Sequence, residues 1–388
     1  MNTPSPLSLL EELVRIDSRS PGLLAAPVPP GAATEEALAR HLAGLLAAHG
    51  FLHELQWAAP GRPNLVAWSR AWDHARPALA FEAHLDTVGS DGMTHPPLEP
   101  RIQAGRLYAR GACDTKGTMA AMLAAIIRLS VEATPINLVF IGSCAEETGC
   151  EGIGHVDLAR FGGAQLPVIV GEPTELRTVT GHKAHAWFEW AIRGRAAHGS
   201  VPETGDNAIV KMTRVIQALE VFAAGPLRAV PVPAGFTPPT LSIGVIRGGV
   251  KENVVPDYCS IQVDLRLMPG QDPAAVIADA AAFAEAQAGI RPETTWIRHI
   301  PVLATPPDSP LLQAMTAACV ETGTPATTAI VNFCTDAGVL QERGHDTLVF
   351  GPGSILRAHG SEEYLELDQL DRAAEILALA ARRLGGPE

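Results

Sequence analysis

The chain has 388 residues, of which 47% are apolar and 18% charged, and its formal net charge is −13. Its length exceeds the roughly 250–300 residues at which a single hydrophobic core stops growing, so two domains are expected. The acidic balance, without a lysine or arginine cluster, argues against nucleic acid as a partner. No apolar run reaches the roughly 20 residues of a membrane span, and the N-terminal residues lack a signal-peptide pattern. We therefore expect a cytoplasmic protein that does not enter a membrane.

The cysteines are scattered and show no paired Cys-x-x-Cys pattern. Such spacing argues against both a disulfide framework and a structural zinc knuckle, and it favours reduced thiols. The six residues are Cys113, Cys144, Cys150, Cys259, Cys319 and Cys334.

The first part of the chain predicts helices that alternate with apolar strands. Residues 34–50 place Leu38, Leu42 and Leu46 on one helical stripe, with a glycine at the end where a left-handed cap is favoured. The strands that follow are predicted at residues 77–83, 136–142 and 166–171, with a helix at 116–129. This β-α-β alternation predicts an α/β domain whose mostly parallel sheet is flanked by helices.

The middle of the chain has a different order of predicted elements. Its predicted elements follow the β-α-β-β-α-β order of a split β-α-β unit. They are strand 186–194, helix 207–222, strands 241–247 and 259–267, helix 273–288 and strand 294–300. Helix 311–322, strand 347–351 and helix 367–384 then resume the first domain. We therefore predict a catalytic domain over residues 1–183 and 300–388, interrupted by an inserted domain over residues 184–299.

Side chains of the kinds that bind metal ions recur where predicted strands end. They are His84, Asp114, Glu147, Glu172 and, far downstream, His359, with Glu146 beside the third. Open α/β sheets bind ligands at the carboxyl ends of their strands, so most of these residues fall where a site is expected.

Imidazoles mixed with carboxylates suit zinc, manganese or cobalt, whereas an all-oxygen set favours magnesium or calcium. With two histidines and three carboxylates, one carboxylate must bridge if each of two ions is to have three protein ligands, and Asp114 is our candidate. Two ions that share a water lower its pKa toward ~7. Glu146 is then available to accept the water proton. Asp86, two residues after His84, suits the task of fixing the tautomer of that imidazole.

The motifs around these residues resemble a known family. Ala-His-Leu-Asp around His84, Gly-Ala-Cys-Asp-Thr-Lys-Gly around Asp114 and Ala-Glu-Glu-Thr-Gly around Glu147 are similar to those of the dizinc amidohydrolases and metallopeptidases. That family includes acetylornithine deacetylase, succinyl-diaminopimelate desuccinylase, aminoacylase and glutamate carboxypeptidase, and the resemblance covers nearly the whole chain. One departure is Ala145, which stands where members usually carry aspartate.

The resemblance implies how the site is divided. One Zn²⁺ is expected on His84, Asp114 and Glu172, and the other on Asp114, Glu147 and His359, with Glu146 as general base. The resemblance also implies that Co²⁺ or Mn²⁺ can substitute for zinc in such a site.

For the inserted domain, the resemblance implies a ferredoxin-like dimerisation or lid domain in a homodimer. His198 then reaches the active site of the neighbouring subunit and stabilises the oxyanion, while Asn253 and Arg266 contact the substrate carboxylate. The planar guanidinium of arginine can donate two parallel hydrogen bonds to a carboxylate. An ion pair with Asp264 is the alternative for Arg266.

Within the family, the segment that follows His359 is most similar to the acetylornithine deacetylase branch. The expected substrate is therefore an N-acyl amino acid, and the expected reaction is hydrolysis of N2-acetyl-L-ornithine to ornithine and acetate, as in arginine biosynthesis. A desuccinylase or a glutamate-type carboxypeptidase is an alternative, and a non-catalytic metal-binding homologue is another of a different class. As a hypothesis, Asp336 pairs with a cationic substrate side chain, because a buried ammonium needs an anionic partner.

Overall fold

The computed structural model describes residues 3–132, 134–161 and 165–386, which form eight α-helices and sixteen β-strands. The helices are α1 (Pro6–Val14), α2 (Glu36–Ala48), α3 (Lys116–Val131), α4 (Ala208–Ala224), α5 (Pro273–Ala288), α6 (Pro310–Glu321), α7 (Asp336–Glu342) and α8 (Leu367–Leu384). The strands are β1 (Phe51–Ala59), β2 (Arg62–Ser69), β3 (Ala78–His84), β4 (Arg101–Gln103), β5 (Arg106–Tyr108), β6 (Asn137–Ser143), β7 (Val168–Val170), β8 (Thr178–His182), β9 (Ala184–Arg193), β10 (Thr240–Gly248), β11 (Tyr258–Leu267), β12 (Glu293–Ile300), β13 (Leu303–Ala304), β14 (Thr328–Val331), β15 (Thr347–Val349) and β16 (Tyr364–Glu366). Within the described ranges, no helix combines the length and the apolar character needed to cross a bilayer.

The chain divides into two compact units. The first runs to Gly181 and includes Leu303–Val331 and the residues from Thr335 onward. The second comprises His182–Val302 and Asn332–Cys334.

A nine-stranded sheet forms the centre of the first unit, with the order β1-β2-β6-β3-β7-β15-β8-β13 and with β14 paired to β8. The four central strands, β6, β3, β7 and β15, are parallel to their neighbours within this group. The pairs β1-β2, β2-β6 and β15-β8 are antiparallel. The predicted α/β class is confirmed, and the predicted parallel strands form its centre, although antiparallel strands on both sides make the whole sheet mixed.

Helix α3 is the buried helix of the first unit. It packs against β3 and β6 and against α1 and α8. Every residue from Lys116 to Ile127 is buried, because small and aliphatic side chains occur all around the helix. The N-terminus of α3 is thus fixed in the core, and the residues just before it are fixed with it.

Helix α2 shows the apolar stripe that the sequence predicts. Leu38, Leu42 and Leu46 are buried in the core of the first unit. Gly50 follows with a φ of 85°, a left-handed conformation that glycine adopts without steric cost. The hairpin of β1 and β2, which the sequence analysis leaves out, follows directly. Its turn contains Gly61 with a φ of 75°. The Pro-Gly dipeptide at this turn is the sequence feature that indicates the hairpin.

The second unit is a four-stranded antiparallel sheet with the order β10-β11-β9-β12. Its elements follow the β-α-β-β-α-β order along the chain, as the sequence predicts. Alternate residues of β9, such as Phe188 and Trp190, are buried and pack in one cluster with residues of α4 and α5, whereas Trp187, which precedes Phe188, is exposed. This period of two explains why the helices cover one face of the sheet.

Candidate metal centre

Three neighbouring parallel strands of the first unit bring the candidate ligands to one edge of the sheet. His84 is the last residue of β3, and it lies opposite Ser143, the last residue of β6. Glu146 and Glu147 follow β6, and Glu172 follows β7. Because β6, β3 and β7 are adjacent and parallel, their carboxyl ends meet at the same edge. Asp114 reaches this edge from the buried N-terminal end of α3.

The first ligand group comprises His84, Asp114 and Glu172. One ligand atom of each lies within 4.8 Å of the others, and all three residues are buried. Nε2 of His84 is 3.0 Å from Oδ1 of Asp114 and 4.0 Å from Oε1 of Glu172. Burial and the neighbouring Asp114 carboxylate raise the pKa of Glu172 well above its usual range.

The second ligand group comprises Asp114, Glu147 and His359, again with ligand atoms within 4.8 Å of one another. Nε2 of His359 is 3.1 Å from Oδ2 of Asp114 and 3.0 Å from Oε2 of Glu147. Hydrogen bonds to these two carboxylates raise the pKa of His359 to about 10. The imidazole must therefore release a proton before it can bind a metal ion.

Asp114 belongs to both groups and offers a different oxygen to each. Its Oδ1 faces His84 and its Oδ2 faces His359. Burial opposes ionisation of Asp114, but hydrogen bonds from His359 and His84 outweigh it and lower the pKa of its carboxyl. The donor chemistry fits two cations that share this carboxylate, because each group then supplies three nitrogen or oxygen ligands.

Asp86 supports both His84 and the glutamate pair. Nδ1 of His84 lies 2.8 Å from the backbone carbonyl oxygen of Asp86, and a carbonyl can only accept, so Nδ1 carries the proton. The carboxylate of Asp86 accepts from the backbone N–H groups of Glu146 and Glu147 at 3.1 and 3.2 Å. Asp86 therefore contacts the imidazole chiefly through its main chain, and its side chain fixes the turn that carries the glutamates.

Glu146 is close to the ligand groups but belongs to neither of them. Its carboxylate accepts from Sγ of Cys150 at 3.4 Å. Burial raises the pKa of Glu146 well above its usual range. Ala145, just before it, has a φ of 58° and donates its N–H to Glu35, which forms a buried ion pair with Arg62.

Glu363 is a residue of this region that the sequence analysis missed. Its carboxylate accepts from the backbone N–H groups of Gly111, Cys113 and Asp114 at 2.9–3.1 Å and from Nη1 of Arg110 at 2.6 Å. These hydrogen bonds connect the loop before α3 to the segment that carries His359. The acidic residues after His359 were the only signal for Glu363.

The candidate substrate residues His198, Asn253 and Arg266 belong to the second unit, and Asp336 to the first. His198 and Asn253 are exposed and adjacent, since the N–H of Gly199 donates to the carbonyl of Asn253 at 2.8 Å. Arg266 makes a two-bond ion pair with Asp264 at 2.7 and 3.0 Å, the alternative partner considered from the sequence. Asp336 is buried, and its carboxylate lies near Glu146 and Cys150.

The fold and the two ligand groups define a class of protein, the hydrolases with a dinuclear metal centre. The chain belongs to Peptidase family M20/M25/M40, whose sequence model matches residues 80–383. It is accordingly a hydrolase of amide bonds.

Curated relatives are similar over most of the chain. An acetylornithine deacetylase of Myxococcus xanthus is 35% identical over 358 residues, covering 88% of this chain and 90% of that protein. An acetylornithine deacetylase of Vibrio vulnificus is 30% identical over 395 residues, covering 99% of each.

Solved structures share the fold at lower identity. The aminopeptidase PepT of Bacillus cereus has a TM-score of 0.77 at 20% identity and covers 99% of both chains. The YXEP protein of Bacillus subtilis, described as a dinuclear metal binding peptidase, has a TM-score of 0.73 at 16% identity and covers 98% of this chain and 97% of its own.

Proposed function

We propose that this chain is a zinc-dependent deacetylase that converts N2-acetyl-L-ornithine and water to L-ornithine and acetate. The observation that carries the proposal is Asp114, whose two oxygens face two separate groups of metal-type side chains. The names of the curated relatives support the substrate. Ornithine produced in this way would serve arginine biosynthesis.

In this proposal His84, Asp114 and Glu172 hold one Zn²⁺, and Asp114, Glu147 and His359 hold the other. Cobalt or manganese can substitute, because the ligand set is of nitrogen and oxygen donors. When bound, the two ions supply a water of lowered pKa and polarise the amide carbonyl.

Residues of the chain then transfer the protons and bind the substrate. Glu146 accepts the proton of the attacking water and donates it to the departing amine nitrogen. A carboxyl whose pKa burial raises suits a group that must both take and return a proton near neutral pH.

His198 is proposed to donate a hydrogen bond to the oxyanion. Asn253 and Arg266 are proposed to bind the α-carboxylate of the substrate. The ion pair with Asp264 orients the guanidinium of Arg266 through Nε and Nη2. Nη1 donates to Sγ of Cys334 at 3.5 Å, a contact that the substrate carboxylate would replace.

A matched pair of neighbouring substitutions tests the division of roles. Glu146→Gln should lower turnover roughly 10²- to 10⁴-fold while the protein still binds two equivalents of zinc, because the base is lost and the ligands remain. Glu147→Gln should lose one equivalent of zinc as well as activity. If Glu146→Gln loses metal, or keeps its turnover, the assignment of the base is wrong.

A substrate panel separates the proposed activity from its alternatives. The zinc- or cobalt-loaded protein is to be compared on acetylornithine, acetylcitrulline, acetyllysine, succinyl-diaminopimelate and a small peptide. The highest kcat/KM is expected for acetylornithine. Preference for the succinyl compound or the peptide would instead identify a desuccinylase or a carboxypeptidase, and hydrolysis of none of them would favour a non-catalytic homologue.

The predicted contact between Asp336 and a cationic substrate side chain has its own test. Asp336→Ala should reduce the preference for acetylornithine over acetylmethionine, because only the former carries a cation. An unchanged preference would contradict the contact.

The second unit is also proposed to form a homodimer. Its edge strand β10 leaves Ile246 exposed, and Val250 just beyond the strand is 87% exposed, which is apolar surface that a second copy could cover. Light scattering coupled to gel filtration should give twice the chain mass, and a monomer would contradict this proposal.

A further inference from the structure

A third group of metal-type side chains lies beside the two ligand groups and comprises Glu146, Cys150 and Asp336. One ligand atom of each is within 4.8 Å of the others. Sγ of Cys150 is 3.4 Å from Oε1 of Glu146. Cys150 and Asp336 are only 4% and 1% exposed. Unlike the two ligand groups, this cluster contains sulfur.

The carboxylate of Asp336 lacks the partners that a buried charge needs. Among the residues that the structure describes, none makes a hydrogen bond of normal geometry to either of its oxygens. Ser143, Cys150 and Glu82 approach this carboxylate. The hydroxyl of Ser143 donates to Glu82 at 2.6 Å, and Sγ of Cys150 donates to Glu146 at 3.4 Å. A buried carboxylate without hydrogen bonds is costly unless a proton or a cation neutralises it. A proton or a cation bound in this cluster would therefore stabilise it.

A further acidic side chain lies beside this cluster. Glu82 is itself buried, and its carboxyl lies near both Asp336 and Glu146. Three acidic side chains thus share one poorly hydrated region. A cation that binds among them replaces the protons that burial favours on these carboxyls, because a metal ion binds the deprotonated form.

We propose that Glu146, Cys150 and Asp336 form an additional binding site for a thiophilic divalent cation such as Zn²⁺ or Cd²⁺. A thiolate with two carboxylates is a donor set that zinc accepts, and its sulfur disfavours magnesium and calcium. Three protein ligands leave one tetrahedral position for water. A bare metal ion is also small enough to reach a carboxylate that is 1% exposed.

Binding at this site would inhibit the enzyme, a consequence that rests on the proposed function of Glu146 as general base. A metal ion on that carboxylate occupies the lone pair that would accept the water proton. None of the five proposed zinc ligands takes part in the additional site. Excess metal therefore inhibits without displacing the two ions that the reaction requires.

Cobalt spectroscopy tests the site directly, because only a sulfur ligand gives a thiolate-to-cobalt charge-transfer band in the near ultraviolet. Titration of the metal-free protein with Co²⁺ should produce this band as a third equivalent binds. Cys150→Ser should abolish the band. Cys334→Ser, which removes the more exposed thiol, should keep it. Absence of the band from the wild type, or its persistence in Cys150→Ser, would overturn the proposal.

Equilibrium dialysis against excess Zn²⁺ gives a second measurement that does not depend on catalysis. The wild type should bind three equivalents, and both Cys150→Ser and Asp336→Asn should bind two, which also establishes that these variants remain folded. The zinc concentration that half-inhibits hydrolysis should rise in Cys150→Ser by at least about tenfold, as expected for loss of a ligand. Two equivalents in the wild type would refute the site even if hydrolysis occurs, whereas three equivalents without hydrolysis would refute only the proposed function.

Discussion

The two units present their candidate functional residues in contrasting ways. In the first unit, His84, Asp114 and Glu172 are buried at the ends of core elements, and hydrogen bonds from the main chain fix the loops around them. In the second unit, His198 and Asn253 are exposed on loops. Side chains that bind a metal must be preorganised, whereas those that receive a substrate can adjust to it. Substitutions of the ligands in the first unit should therefore disturb metal binding, and those of the candidate substrate residues in the second should disturb turnover alone.

The largest effect is expected from Asp114→Asn in the first unit. Both ligand groups lose their common carboxylate, so both ions should be lost and turnover should fall by at least about 10³-fold, since metal catalysis contributes several kcal/mol. Metal analysis and kinetics measure the two effects. The exposed Asp91→Asn is the matched control and should change neither. Retention of two metal equivalents in Asp114→Asn would contradict the shared role.

His198→Ala in the second unit should lower kcat roughly 10²- to 10³-fold, as loss of an oxyanion donor does, while two zinc equivalents remain bound. Loss of metal in this variant would contradict the expectation that the second unit contributes to turnover and not to metal binding.

A mixing experiment then asks in which subunit His198 acts. His198→Ala and Glu146→Gln are each expected to be nearly inactive. If His198 serves the active site of a neighbouring subunit, mixed dimers will contain one intact site and regain part of the activity. No recovery in verified mixed dimers would place its action within its own subunit.

Glu363→Gln tests whether the interior contacts of the first unit matter for metal binding. Glutamine has one acceptor oxygen in place of two, so it cannot accept from all four donors, and it leaves the buried Arg110 without its anion. We expect metal affinity to fall roughly 10- to 100-fold, as for loss of an outer partner of a ligand.

The control for this substitution is Glu366→Gln in the same segment. Glu366 makes a longer, partly exposed pair with Arg106 at 3.9 Å. Its loss should leave metal affinity unchanged, because a long, partly exposed ion pair contributes little. Equal effects of the two substitutions on calorimetric metal titrations would show that Glu363 does not position the ligands.

The smallest effect concerns acid stability in the second unit. Burial lowers the pKa of His182 to about 4. Below its unfolded pKa of roughly 6.5 the unfolded chain binds a proton that the folded chain does not, so stability falls as the pH drops toward 4. Between pH 7 and pH 5 this costs about 2 kcal/mol.

His182→Gln should remove that part of the pH dependence, and His53→Gln, at an exposed position, should retain it. Urea unfolding of the metal-free proteins at the two pH values measures the difference. Parallel pH profiles for His182→Gln and the wild type would contradict the prediction.

Much of the fold follows from local sequence patterns. The leucine stripe of α2 predicts which face of the helix is buried, and the structure confirms it. The positions of His84 and Glu172 after apolar strands also predict that they lie at one edge of the sheet, since parallel strands end together. Periodicity in a short segment carries this information because it depends only on which neighbours share a face.

Other features depend on residues that are far apart in the chain. Glu363 contacts a loop about 250 positions earlier, and Glu35 pairs with Arg62 beneath Ala145. Asp86 contacts His84 through its backbone carbonyl, which its position in the sequence alone does not indicate. No local pattern distinguishes these partners, because any buried carboxylate could satisfy several donors.

The sequence by itself determined the α/β class, the order of elements in the second unit and the side chains available for metal chemistry. Only the tertiary structure decided that Asp114 faces two groups with its two oxygens, and that Glu146, Cys150 and Asp336 meet in one buried cluster. The physical reason is one of range along the chain. Backbone geometry over a few residues decides which side chains share a face of a helix or strand. Which distant side chains come into contact depends on how whole strands and helices pack.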